Sequence, residues 1–81
     1  MRVSIRLFAR LRDIVGEGDF QRDLPSGATA LSLWNDLAGE YPKLVAYRDA
    51  VSTAVNAEYA RMDAALADGD EIAFLPPVSG G

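Results

Sequence analysis

The chain has 81 residues, 49% of them hydrophobic, so we expect one small domain with a single core. It contains no cysteine and no histidine, which excludes disulfides, thiolate or imidazole catalysis and the usual zinc ligands. Twelve acidic against eight basic residues give a net charge of −4, the wrong sign for binding nucleic acid through its phosphates.

The beginning of the sequence lacks the long apolar core of a signal peptide. No apolar run approaches the roughly 18 residues that cross a bilayer. We therefore expect a cytoplasmic protein that does not bind membranes. The absence of cysteine is compatible with a reducing compartment but does not establish one.

The first part of the chain predicts a β-hairpin with a long connection. Residues 2–9 alternate between polar and apolar side chains, which is the period-2 pattern of a half-buried strand. A helical turn fits residues 10–15 and would end at Gly16. Residues 20–24 then alternate again, which indicates a second strand.

One long helix is predicted after the turn-forming residues 25–27. Thr29 is placed to cap it, and Pro42 ends it because the residue before a proline avoids helical backbone. Apolar residues recur at spacings of three and four, at Ala30, Leu33, Trp34, Leu37, Ala38 and Tyr41. This stripe should face the core, with its aromatic rings buried there and not forming a ligand platform.

The second half of the chain predicts two further strands. Residues 51–55 are rich in β-branched side chains, and residues 56–58 fit a tight turn. Residues 71–75 alternate after a turn at 68–70, and the two prolines that follow cannot donate ladder hydrogen bonds. The order is ββαββ or a close variant, an α+β domain over residues 1–75 with one helix across a mixed sheet.

Residues 76–81, Pro-Pro-Val-Ser-Gly-Gly, are predicted to leave this domain as an extended tail. At about 3.3 Å per residue the tail would reach roughly 20 Å, and glycine, which has no Cβ, fits a channel too narrow for other residues. Since no nucleophilic side chain is available, the carboxylate of Gly81 is the reactive group to consider. Adenylation by ATP and attack by a sulfur donor would convert it into a thiocarboxylate. The alternative interpretation of residues 76–81 is a frayed chain end without function, or residues left over from the expression vector.

Three segments resemble the small-subunit family of molybdopterin synthase, the ubiquitin-like sulfur carriers called MoaD. They are residues 7–16 (LFARLRDIVG), 54–56 (AVN) and 66–81 (LADGDEIAFLPPVSGG). The block from Asp68 to Gly81 is the most specific, because a Gly-Gly end alone is shared by ubiquitin-like proteins. Residues 43–50 match no motif of the family.

This resemblance implies a ubiquitin-like β-grasp fold and a non-catalytic sulfur carrier in molybdenum cofactor biosynthesis. An E1-like adenylyltransferase would use ATP to form the Gly81 adenylate, and no cofactor or metal would stay bound. The large catalytic subunit would receive the tail, and the Gly81 thiocarboxylate would supply sulfur to cyclic pyranopterin monophosphate. Two carriers are needed for the two dithiolene sulfurs, which implies a heterotetramer. The tail that enters the partner consists of Pro76, Pro77, Val78, Ser79 and Gly80, followed by Gly81.

Three exposed hydrophobic residues are candidates for a partner interface. Phe8 has the opposite strand parity to Leu7, and Leu75 has the opposite parity to Phe74, so both should project from the sheet face away from the helix. Tyr59 is the third candidate. The family places its apolar partner patch at matching positions, whereas a single exposed hydrophobe is by itself ordinary.

Other functions remain open from the sequence. The chain could carry sulfur for thiazole or another thio-cofactor, or be a ubiquitin-like modifier that forms isopeptide bonds with lysines. It could also be a plain interaction domain whose glycine end is incidental. Arg10 and Arg12, and Asp68 and Asp70, either belong to a solvated surface or pair with charges of an activating enzyme.

Overall fold

The computed structural model describes residues 1–77, in which one long helix lies across a five-stranded mixed sheet. Its strands are β1 (Arg2–Leu7), β2 (Asp19–Asp23), β3 (Ser52–Val55), β4 (Glu58–Ala60) and β5 (Glu71–Leu75). Its helices are α1 (Ala9–Val15), α2 (Ala30–Glu40) and the short 3-10 helix Pro42–Tyr47. The tail residues Val78, Ser79, Gly80 and Gly81 lie outside the described residues, so what was predicted of them stays a prediction.

The sheet has the order β2-β1-β5-β3-β4. Its centre is the parallel pair β1 and β5, in which Arg6 lies opposite Ala73 and Leu7 opposite Phe74. All other neighbours are antiparallel. A long helix between an N-terminal hairpin and a strand that returns to the centre is the β-grasp arrangement. The predicted α+β fold, a mixed sheet with one main helix on one face, is therefore confirmed.

The core lies between α2 and one face of the sheet. Trp34 of α2 and Phe74 of β5 are fully buried, and their ring centroids lie 5.1 Å apart in an edge-to-face arrangement. The apolar residues of β1, Val3, Ile5 and Leu7, are buried against them. The alternation in β1 and the stripe on α2 thus place their apolar sides in the same core.

Helix α2 begins and ends where the sequence predicts. The hydroxyl oxygen of Thr29 accepts a hydrogen bond from the Ser32 backbone N–H at 3.1 Å, and the Ser32 hydroxyl accepts one from the Thr29 N–H at 2.9 Å. This reciprocal pair satisfies donors that an uncapped helix would leave free. Pro42 also starts the 3-10 helix, where its fixed φ suits the first position and Leu44 becomes buried.

The β3–β4 hairpin closes through a two-residue turn. Asn56 and Ala57 have φ values of 51° and 70°, the left-handed pair that hairpin turns of this length require. The Asn56 side chain accepts a hydrogen bond from the Glu71 backbone N–H at 2.9 Å and donates one to the Asp70 carboxylate at 2.9 Å. The turn is therefore tied to the start of β5.

In the part of the chain that the structure describes, no helix is long and apolar enough to cross a bilayer. The cytoplasmic location stays a prediction.

We predict that Ala57→Gly raises the free energy of unfolding by about 0.5–1 kcal/mol, because glycine adopts left-handed backbone without the steric cost that alanine carries. The matched control is Ala54→Gly in β3, where the same exchange should lower stability by about 0.5–1 kcal/mol. Urea unfolding of both variants gives the comparison. A loss of stability in Ala57→Gly would show that the turn is not strained.

Candidate functional site

The sheet face opposite α2, which we call the outer face, carries a row of residues that runs across four strands. Arg6 lies opposite Ala73, Ala73 opposite Ala54, and Ala54 opposite Tyr59. Directly paired residues on neighbouring strands project to the same side of a sheet. The row therefore has two small residues at its centre and large side chains at both ends.

The two alanines leave room for a shallow depression of about 260 Å³ on the outer face. Its lining consists of Arg6, Phe8, Ala54, Ala57, Tyr59, Glu71, Ala73 and Leu75. The three interface candidates from the sequence, Phe8, Tyr59 and Leu75, thus come together around one hollow although they lie far apart in the chain. Their role in binding a partner stays a prediction.

Phe8 reaches the depression from a position that the sequence did not predict. The strand expected over residues 2–9 ends at Leu7, and Phe8 is the extended residue (φ −125°, ψ 152°) that precedes α1. The chain turns at Ala9, which has a φ of 49°, and the Phe8 carbonyl accepts a hydrogen bond from the Leu11 N–H at 3.1 Å. The ring remains 39% exposed.

Tyr59 and Leu75 form the other apolar parts of the lining. Tyr59 is 81% exposed on the edge strand β4, and its neighbour across the strand pair is only an alanine. Leu75, the last residue of β5, is half-buried, in contrast to the fully buried Phe74 before it. Val45 is also strongly exposed, at 60%, but it belongs to the 3-10 helix and does not line the depression.

Arg6 and Glu71 give the depression one polar side. Their charged groups lie 3.9 Å apart, and both side chains are about half exposed. The Arg6 guanidinium also lies 5.8 Å from the centre of the Phe8 ring, within range of a cation–π contact. An exposed ion pair at this distance contributes little to stability, so both charges are available to a partner.

Two acidic residues before β5, Asp68 and Asp70, form hydrogen bonds that stabilise the fold. Asp68 accepts a hydrogen bond from the Arg2 backbone N–H at 2.7 Å. The Asp70 carboxylate accepts one from the Asn56 amide and one from the Ala67 N–H at 2.8 Å. These bonds, that from Asn56 first, hold the pKa of Asp70 below its usual value. Both carboxylates thus have partners within the chain that account for their positions.

Among residues 1–77, no group of three or more acidic side chains is placed to hold a metal ion. The lining of the depression also offers no cysteine, histidine or serine. An apolar hollow with one ion pair at its side has the character of a surface that can bind another protein.

The family model that matches the chain is that of the ThiS family, over residues 5–81. A molybdopterin synthase sulfur carrier subunit of Arabidopsis thaliana is 37% identical over 79 residues, which cover 98% of this chain and 82% of that protein. The crystal structure of small archaeal modifier protein 1 of Haloferax volcanii matches with a TM-score of 0.83 and 29% identity, over 95% of this chain and 98% of that one.

A further similar structure is a complex of two proteins. It contains subunits 1 and 2 of the molybdopterin-converting factor of Helicobacter pylori, and its matching chain has a TM-score of 0.66 and 28% identity. The match covers 100% of this chain and of that one. Relatives of this chain are thus found as carriers, as modifiers and bound to a second subunit.

We predict that Asp70 makes part of the stability of the domain sensitive to acid. Because its pKa is lowered in the folded chain, its contribution is present above the ordinary carboxyl pKa of 3.8 and is lost as the pH falls through the lower folded value. Asp70→Asn should therefore lower stability at neutral pH and flatten its decline in acid. Urea unfolding across this pH range measures both effects. Parallel curves for the two proteins would contradict the prediction.

Proposed function

Because this chain belongs to the ThiS family, we propose that it is the sulfur carrier subunit of a molybdopterin synthase. The observation that carries the proposal is the extent of the family match, which runs to Gly81 and so includes the carboxyl-terminal segment. The subunit is non-catalytic. It supplies a reactive group and a docking surface, while the large subunit supplies the active site.

The reactive group is the carboxylate of Gly81. An E1-like adenylyltransferase joins it to the α-phosphate of ATP, and pyrophosphate leaves. Hydrosulfide delivered by a sulfur donor then attacks the carbonyl carbon and displaces AMP, which leaves a thiocarboxylate. This thiocarboxylate gives its sulfur to cyclic pyranopterin monophosphate, and ATP stays with the activating enzyme throughout. The absence of cysteine and histidine from the whole chain supports the assignment of this chemistry to the chain end.

The large subunit binds the outer face in this proposal. Strand β5 ends at Leu75, which lines the depression, and Pro76 follows directly. A partner seated on Phe8, Tyr59 and Leu75 would therefore meet the tail where it leaves the domain. The Helicobacter pylori complex supports a two-subunit assembly. Two carriers and two large subunits, a heterotetramer, suit a product with two sulfurs.

A second candidate function is that of a protein modifier. The likeness to small archaeal modifier protein 1 favours it, because the two folds agree closely over almost their full lengths. In this case an amine attacks the Gly81 adenylate and forms an isopeptide bond. A carrier for thiazole or another thio-cofactor would differ from the first proposal only in its partner.

We predict that deletion of Gly81 abolishes sulfur transfer to the pyranopterin substrate. The free energy of unfolding should change by less than about 0.5 kcal/mol, since the segment lies beyond β5. Product formation with the purified large subunit and urea unfolding measure the two effects. Val45→Ala, which leaves the tail intact and lies outside the depression, is the control and should transfer normally. Normal transfer by the deletion variant would refute the assignment.

We predict that Tyr59→Ala weakens binding of the large subunit about tenfold or more, because an exposed aromatic ring that becomes buried in an interface contributes about 1–2 kcal/mol or more. Val45→Ala is the matched control, since Val45 is also strongly exposed but lies outside the depression. Its affinity should stay within about twofold. Titration calorimetry with the large subunit gives both values, and equal losses would place the interface elsewhere.

A further inference from the structure

The chain offers very few groups that could accept an acyl group. It contains a single lysine, Lys43, and no cysteine. An activated carboxylate is captured by amines or thiols, so the chain has only two such acceptors, the Lys43 amine and the α-amine of Met1. A second copy whose carboxyl end has been activated therefore meets an unusually simple set of targets on this chain.

The α-amine of Met1 is held by the fold. It donates a hydrogen bond to the Leu24 carbonyl at 2.8 Å in a half-buried position. The Leu24 N–H in turn donates to the Met1 carbonyl at 2.7 Å. An attack by this amine would break the first bond and disturb the junction between the first strand and the end of β2.

Lys43 has no comparable restraint among residues 1–77. It is exposed as the second residue of the 3-10 helix, and no carboxylate lies within 4.0 Å of its amine in that part of the chain. Glu40 precedes Lys43 by three residues, and its carboxylate accepts two hydrogen bonds from Arg22, one of them at 2.9 Å. The Glu40 carboxylate is therefore already paired with a cation other than Lys43.

A shallow hollow of about 230 Å³ adjoins Lys43. Its lining is Ile14, Glu40, Tyr41, Pro42 and Lys43, and it shares no residue with the outer-face depression. A Gly-Gly end, which has no side chains, is narrow enough to lie in so shallow a space. Because the two hollows share no lining residue, a partner that covers only the outer-face depression would leave Lys43 accessible.

We propose that Lys43 is the site at which the activated Gly81 of a second copy forms an isopeptide bond. The amine nitrogen of Lys43 attacks the carbonyl carbon of the Gly81 adenylate. The new carbon–nitrogen bond replaces the bond to AMP, and the amine gives its proton to water. The product is two copies joined by one amide. This inference rests on activation of Gly81 in the proposed function, but not on sulfur transfer.

The test incubates the full chain with the adenylating enzyme of its host and ATP, in the absence of a sulfur donor. Intact mass spectrometry should show a covalent dimer with the mass of two chains less one water, and peptide mapping should locate the branch at Lys43. Lys43→Arg should still form the Gly81 adenylate but lose at least about nine-tenths of the dimer. The control for position is Lys43→Arg combined with Arg61→Lys, which moves the amine to a side chain that is 88% exposed. This variant should stay monomeric.

Each other outcome overturns the inference. A chain that is adenylated but stays monomeric, a branch at Met1, or a dimer restored by Arg61→Lys would show that Lys43 is not a selective acceptor. A monomer that has lost one water would show capture by its own chain instead of a second copy. A chain that is never adenylated would overturn the proposed function and this inference together.

Discussion

The parallel pairing of β1 with β5 is the constraint on which the rest of the structure depends. It joins the first and last strands of the described chain at the centre of the sheet, with Leu7 opposite Phe74. Because the strands are parallel, both end at the same edge, and the residues that follow them, Phe8 and Pro76, leave from there. An antiparallel pairing would separate the Phe8 ring from Leu75 and place the tail at the opposite edge.

The outer face follows from this pairing and from the size of its central side chains. Ala54 and Ala73 lie side by side, and their small size leaves the depression that Phe8, Tyr59 and Leu75 surround. Larger residues at these two positions would fill it. The proposed docking surface on the outer face and the single lysine thus lie beside two different hollows.

Much of this architecture follows from local patterns in the sequence, but some of it does not. The Thr29 cap, the stripe on α2 and the alternation of β5 were readable because capping and periodicity are local. The start of α1 could not be predicted. It depends on the left-handed backbone of Ala9, and no sequence signal marks an alanine for that conformation. β4 was missed because its turn is Asn-Ala and lacks the glycine that usually signals a hairpin.

Long-range features needed more than local patterns. The parallel pairing of β1 with β5 depends on contacts between distant segments, which local patterns do not specify; strand parity placed Phe8 and Leu75 on one face but did not show that they share a depression. The 3-10 helix Pro42–Tyr47 was also missed, because it is too short to show a periodic pattern and matches no family motif. The sequence also left open whether Asp68 and Asp70 stabilise the turn before β5 or bind an activating enzyme. In the structure both carboxylates accept backbone hydrogen bonds at this turn.

The central claim is that the working group of this protein is its own carboxyl end. The most direct test is the intact mass of the chain recovered from its native host while that host makes molybdopterin. The account predicts a population in which sulfur replaces one terminal oxygen, with the change mapped to Gly81. A chain that carries only an ordinary carboxylate under those conditions, even when protected from hydrolysis during recovery, would contradict it.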